Sequence, residues 1–463
     1  MSKCNTNFSK IYPTILFTLV VFFLTLYIYY PGIVTNDTIS AFNQAKNFSF
    51  TDISPPIMPL TWFLLNHIYY GTLSVLVFNN IVFWVALCIF SFWLLPKSNF
   101  YRIIFIFLFG FFPPVFTQLG VILKDIPVFS FLFLACALLL FTSEATNKKN
   151  KLILLLFAVM FLFYAYILRH NSFAAVIALC FWVGSLFPYK NLKFAKILSP
   201  LIGIILVVLF FVANNVINKK LLDGYVCYPS QVVLISDLVG ISAIEGKVIF
   251  PDSLLGKKKS THLITVYDPA GNYDVNNYMD CDWDNFRNLR EFWFKSVLLH
   301  YPLAYIKHRA MTFSRLFVSS SQYNYVTDNY VNEKNPYGFE FYQNYFYKLY
   351  YKFADLFVFK FSLLSGVDSK FYPTKGRIIG LHILFMGGFY WLICLFVAIR
   401  AFCLRKKIKN THSISWIALS GFLYGLGYVV YAVTPEYRFW LWTVVASLVS
   451  SSMFVRERYF TKL

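Results

Sequence analysis

The sequence predicts an all-α integral membrane protein of about ten transmembrane helices. An extracytoplasmic, mostly helical segment falls between spans seven and eight. Composition carries the first part of this reading. The 463 residues are 58% hydrophobic, 21% aromatic and 13% charged, with a mean hydropathy of +0.59. Soluble domains carry about 25% charged and about 45–50% apolar residues. Both a soluble enzyme and a disordered chain are excluded. The second observation is a series of long uncharged runs, and the third is the uneven placing of lysine and arginine between them.

Apolar runs of spanning length cover 11–30, 74–95, 103–120, 126–142, 152–168, 172–188, 197–214, 378–399, 414–433 and 439–455. The N-terminus, 96–102, 143–151, 189–196, 400–413 and the C-terminus then share one side. Those segments hold 18 of the 41 basic residues and two of the 21 acids, Glu144 and Glu457. Short basic loops stay cytoplasmic, so both termini are expected inside, in the cytoplasmic membrane. The net charge of +20 is thereby an orientation signal, and no nucleic-acid partner is expected.

Taken in order, the first run ends Tyr29-Tyr30-Pro31-Gly32 without a small-residue cleavage site, so it is expected to remain as a span. An outer loop, 31–73, follows. Its apolar stretch Pro59–Tyr70 is interrupted by Asn66 and His67, which places it along the membrane surface. Residues 1–214 thus form a seven-span module. Residues 215–377 form the outer segment, with aromatic, part-amphipathic stretches at 286–318 and 339–365. Their density of lysine and arginine is costly at bilayer depth, which predicts interfacial or folded helices. Three spans, in 378–463, close the chain. Gly421 and Gly425 have the spacing of a helix contact. Of the eight cysteines only Cys227 and Cys281 fall in the outer segment, where two thiols can pair in an oxidising compartment.

The charges at span ends gather on the outer side. Asp37 follows span one, Lys124-Asp125 opens span four, Arg169-His170-Asn171 fills the loop between spans five and six, and Glu436-Tyr437-Arg438 fills the loop between nine and ten. One such residue alone reads as an interfacial charge reaching into headgroups. Carboxylates with nearby cations in four loops on one face suit a general base beside a bound phosphate. In the outer segment, Tyr305, His308 and Arg309 share a helix face after Pro302. They read either as a further phosphate or headgroup contact or as a helix lying on the membrane.

Asp280, Asp282, Asp284 and Glu291 have calcium-loop spacing, the ground for a possible divalent cation. The sixth position is Asn285 rather than glycine, and Asx turns with a helix N-cap explain the same residues. No P-loop, HExxH or CxxC is present, and no GxGxxG stands in context.

The set YPGxxxxD (30–37), LKD (123–125), LRHN (168–171), HYPxxYxxHR (300–309) and PEYR (435–438) resembles the GT-C superfamily of multi-span glycosyltransferases, as an uncharacterised bacterial branch. These enzymes use polyprenyl-phosphate sugars. The resemblance implies Asp37 as the base that deprotonates an acceptor hydroxyl, with Asp125 as an alternative base or a partner of Lys124. Lys124, Arg169, Arg309 and Arg438 would hold the donor phosphate. His170, Asn171, Glu436 and Tyr437 would contact the acceptor or orient the others. The implied partners are a polyprenyl-phosphate-linked sugar donor, a glycan or lipid acceptor, and the membrane itself. A lipid-linked glycan polymerase or ligase is the nearer alternative. A flippase would need charges buried mid-span, where these runs have almost none.

Overall fold

The computed structural model describes residues 11–53, 55–187, 195–222, 226–251, 264, 267, 279, 281–318, 336–356, 359–360, 380–381, 383–433 and 436–460. The chain is all-α in character. The only strands among the described residues are a two-residue antiparallel pair, Phe359–Lys360 with Gly380–Leu381.

Among the described residues, seven helices are long and apolar enough to cross a membrane: Tyr12–Tyr29, Thr72–Leu94, Asp125–Glu144, Lys148–Leu168, Ile197–Leu221, Thr411–Tyr431 and Tyr437–Tyr459. Their outward faces suit a lipid solvent. Along the fifth of them Ile197, Leu201, Ile204, Ile205, Val208, Leu209, Phe211 and Val212 are all exposed, an apolar surface far beyond what water tolerates.

The three other apolar runs form shorter helices. The run 103–120 breaks in two, Asn99–Gly110 and Pro113–Phe116. Pro113-Pro114 removes two backbone donors and stops the first helix. The run 172–188 gives Phe173–Leu186, entered through a 3-10 turn at His170–Ser172. The run 378–399 is displaced to Gly387–Cys403.

We number the helices that position the site. They are α1 (Tyr12–Tyr29), α2 (Asn36–Asn47), α3 (Ile57–Asn66), α4 (Thr72–Leu94), α5 (Asn99–Gly110), α6 (Pro113–Phe116), α7 (Asp125–Glu144) and α8 (Lys148–Leu168). After them come α9 (Phe173–Leu186), α10 (Ala195–Leu221), α11 (Gln231–Glu245), α12 (Trp283–Phe294), α13 (Pro302–Val318), α14 (Tyr345–Asp355), α15 (Gly387–Cys403), α16 (Thr411–Tyr431) and α17 (Leu441–Val455). The central helix is α7, most of whose residues are buried. It packs on α4, α8, α9 and α17. The surface stretch expected at 59–70 is the helix α3, with Trp62 fully buried against Phe42 of α2.

Close packing joins the last three helices. A methyl group on Gly421 would come within 2.6 Å of the Ala446 Cβ, and one on Gly425 within 2.5 Å of the Trp391 ring. The Gly421–Gly425 pair is thus a helix contact. A second, smaller core lies in the segment 215–377, built from Ile235, Leu238, Val239, Ile241 and Leu289 among others. Cys227 and Cys281, which the sequence allows to pair, form a disulfide that ties the start of α12 to the approach of α11.

Candidate functional site

The first loop is stitched to the segment ahead of α7. The Ile33 amide donates to the Gly120 carbonyl (2.8 Å) and the Ile122 amide donates to the Ile33 carbonyl (3.0 Å). Gly32 has φ +118°, and any side chain there would meet Ile122 at 2.8 Å. The glycine of the YPG stretch is therefore required both by its backbone and by this close approach. Three residues on, Thr35 and Thr38 form a reciprocal capping box that starts α2. The Thr38 hydroxyl also donates to the Ile122 carbonyl at 2.7 Å. These bonds fix Asp37, in the first turn of α2, beside Lys124.

The antiparallel pair α7 and α8 brings the next two groups together. Asp125 heads α7, Arg169 ends α8, and their side chains are in direct contact, 1% and 8% exposed. The Arg169 guanidinium also lies 4.9 Å from the Phe439 ring centroid. The fourth loop adds Arg438. Its Nη1 donates to the Asp37 carboxylate at 2.7 Å, its Nε contacts Glu436, and its guanidinium lies 5.6 Å from the same Phe439 ring. Phe439 is a shared platform for both arginines, held in turn by stacking on Tyr428 at 5.0 Å.

The cluster sets the charge states of its members. Asp37, whose side chain is 53% exposed, is held down to about 2, first by Arg438 and then by Lys124 and Arg169, against the opposing effect of burial. The Lys124 ammonium is lowered to about 8, first by burial and then by Arg169, with Asp37 acting the other way. Four loops distant in sequence thus converge on one charged patch.

Several expected roles change with this geometry. Asp125, expected as an alternative base or a partner of Lys124, is closed to solvent and in direct contact with Arg169, so a cation it orients is Arg169. Tyr437 is fully buried and its hydroxyl donates to the Pro114 carbonyl at 3.2 Å; it packs the loop rather than meeting an acceptor. Glu436 grips Arg438 from its own turn. On the turn after Arg169, His170 is exposed and Asn171 half-buried.

Arg309 belongs to a separate cluster. Its Nη2 sits 2.8 Å from Asp237, its Nη1 donates to the Ala432 carbonyl at 2.8 Å, and it is 5% exposed. Asp237 also accepts from the Trp293 indole at 2.9 Å, and His308 stands 3.4 Å from it. Tyr267 pairs with the His308 Nδ1 at 2.8 Å. Gly240 is where this ring passes, since a Cβ there would lie 2.0 Å from the His308 Nδ1. The guanidinium predicted to hold a donor phosphate is thus spent inside the protein. It ties α11 and α13 to the chain just before Glu436.

Asp52 was not among the expected site residues. Its carboxylate accepts from the backbone amides of Cys227 (2.6 Å) and Tyr228 (2.9 Å), anchoring the disulfide-bearing segment to the first loop. In the acidic stretch, Asp282 caps α12 by accepting from the Asn285 amide at 2.9 Å. Asp284 pairs with Arg287 at 3.3 Å, and Glu291 lies exposed on the same helix. Asp280 lies outside the described residues. Among those described, no three His, Cys, Asp or Glu side chains gather as a metal site.

No protein-family model matches this sequence, and neither does any curated protein or solved structure.

Proposed function

We propose that the protein is a membrane glycosyltransferase of the GT-C kind. It moves a sugar from a polyprenyl phosphate or diphosphate to a cell-envelope glycan or lipid on the extracytoplasmic face. One observation carries the reading: half-exposed Asp37 stands among Lys124, Arg169 and Arg438, brought from three other loops. The acceptor O–H gives its proton to Asp37. The acceptor oxygen bonds to the sugar C1, and the C1–O bond to phosphate breaks with its electron pair left on the phosphate oxygen. Arginines and a lysine stabilise that developing charge, and neither a nucleotide fold nor a soluble domain is needed. Asp125 and Glu436 hold two of the cations in place. The shorter helices α5 with α6, α9 and α15 complete ten crossings alongside the seven long ones, with both termini cytoplasmic.

The test compares envelope lipids and glycans by mass spectrometry in a deletion strain, its complement, and a complement carrying Asp37→Asn at matched membrane abundance. The expected result is loss of a sugar-sized mass in the deletion, restored by wild type and not by the variant. Full restoration by Asp37→Asn would remove Asp37 as the base. Accumulated lipid-linked intermediates without any mass change would favour transport or polymerisation instead.

A further inference from the structure

The charges of the cluster balance in the resting protein. Lys124, Arg169 and Arg438 face Asp37, Asp125 and Glu436, so an anion entering the patch gains little unless a carboxylate steps aside. The three carboxylates differ in their freedom to do so. Asp125 is 1% exposed against Arg169, and leaving would strand a buried guanidinium. Glu436 is 18% exposed and comes from the same turn as Arg438, so it moves with it. Asp37 comes from a different element than Arg438, is the most exposed of the three at 53%, and meets Arg438 through a 2.7 Å contact. The backbone of α2 is held by Thr38 on Ile122, so a change of side-chain rotamer is enough to part the pair without carrying Asp37 away from the patch.

We propose that Asp37 sits on Arg438 as an internal stand-in for phosphate, and that a phosphate monoester or diphosphate displaces it, freeing the carboxylate as a base only once the anion is bound. The inference rests on the glycosyltransferase reading and adds to it an order of events. Guanidinium forks match phosphate oxygens at least as well as a carboxylate, and Lys124 adds a second positive charge at the same place. While Asp37 is paired with Arg438 its carboxylate is a poor proton acceptor. When phosphate takes over Arg438, Asp37 loses its main counter-charge and becomes a stronger base beside the acceptor hydroxyl. Proton removal is thereby confined to the loaded state.

A distinguishing consequence is that removing the proposed base strengthens anion binding. Purified full-length protein in nanodiscs is titrated with farnesyl monophosphate, with farnesol as the tail control and inorganic pyrophosphate as the tail-free control. Wild type, Asp37→Asn, Asp37→Ser and Arg438→Gln are compared, with melting curves to verify folding. Asp37→Asn and Asp37→Ser are expected to bind farnesyl monophosphate about tenfold more tightly than wild type, because a like charge has left the site. Arg438→Gln is expected to bind at least about tenfold more weakly. Parallel shifts for pyrophosphate assign the effect to phosphate itself, and shifts for farnesyl monophosphate alone assign it to the lipid-linked form. Unchanged or weaker binding in both Asp37 variants, with wild type binding normally, overturns the exchange and leaves the transferase reading standing. Absence of phosphate-dependent binding in every folded variant overturns both.

Discussion

Asp125 neutralises Arg169 at the shared end of two antiparallel helices, with both side chains nearly closed to solvent. Breaking such a pair strands a buried charge, at a cost of about 3–5 kcal/mol. Asp125→Asn is expected to lower the melting temperature of the detergent-purified protein strongly. The paired change Asp125→Leu with Arg169→Met should recover most of the loss, since apolar replacements of a buried ion pair are often tolerated. A single variant that melts like wild type would show that the pair does not hold α7 to α8.

Lys124 gives the patch a pH dependence. Its folded value of about 8 lies below the ordinary lysine value of about 10.4. The unfolded chain therefore binds the extra proton between those values, and this residue's contribution to stability rises with pH across that window. Anion affinity runs the other way. Pyrophosphate binding is expected to weaken as pH climbs through about 8, and Lys124→Arg should hold it to higher pH. Asp37, held to about 2, contributes stability that is present above its unfolded value of about 3.9 and lost as pH falls through about 2. An identical alkaline profile in Lys124→Arg would assign the loss to another group.

Helix packing offers a contrast within α16. Gly421→Leu would drive its side chain into Ala446 and Cys394, whereas Gly427 has nothing within 4 Å of an added Cβ. The first variant is expected to fail to accumulate in membranes. Gly427→Ala should be tolerated or gain up to about 1 kcal/mol from helix propensity. Immunoblots of membrane fractions and thermal melts distinguish them, and equal behaviour of the two would contradict the close packing.

Sidedness can be read from native cysteines. Cys403 is exposed on a stretch expected to be cytoplasmic, while Cys227–Cys281 is a disulfide in the segment expected outside. In a Cys4→Ser background, a membrane-impermeant maleimide should label Cys403 only after cells are opened. Labelling of Cys227 and Cys281 should require prior reduction and then occur in intact spheroplasts or whole cells. Reduction should also destabilise the protein by about 2–4 kcal/mol. Labelling of Cys403 in sealed cells would invert the proposed orientation.

Asp37, Lys124, Arg169 and Arg438 were legible in the sequence because charge is expensive beside apolar spans and so stands out where it occurs. Their pairing was not. Asp125 is the first residue of α7, and only the antiparallel packing of α8 brings Arg169 into direct contact with it. In the sequence Arg309 reads as a phosphate or headgroup contact, or as part of a helix on the membrane, because its partner, Asp237, lies inside the apolar stretch VVLISDLVGI, on a different helix. A lone acid in such a run is itself a signal, since burial demands a partner. Phe439 was hidden among 54 phenylalanines, and the helix break at Pro113-Pro114 was masked by the hydropathy around it. The apolar stretch Pro59–Tyr70 falls largely within the helix Ile57–Asn66, and the pairing of Cys227 with Cys281, which the sequence leaves open, is formed.

The stitch between Ile33 and Gly120–Ile122 bears on how the protein is made. Three of the four converging loops lie within the first 170 residues and hold one another through local bonds, so that part of the patch can assemble while the ribosome is still translating. Arg438 comes from the far end of the chain. Until it arrives, Asp37 lacks the arginine it pairs with, and the early part of the chain carries Asp37, Lys124 and the Asp125–Arg169 pair without that last cation. Completion of the patch thus waits on the last two helices, α16 and α17, whose connection carries Arg438.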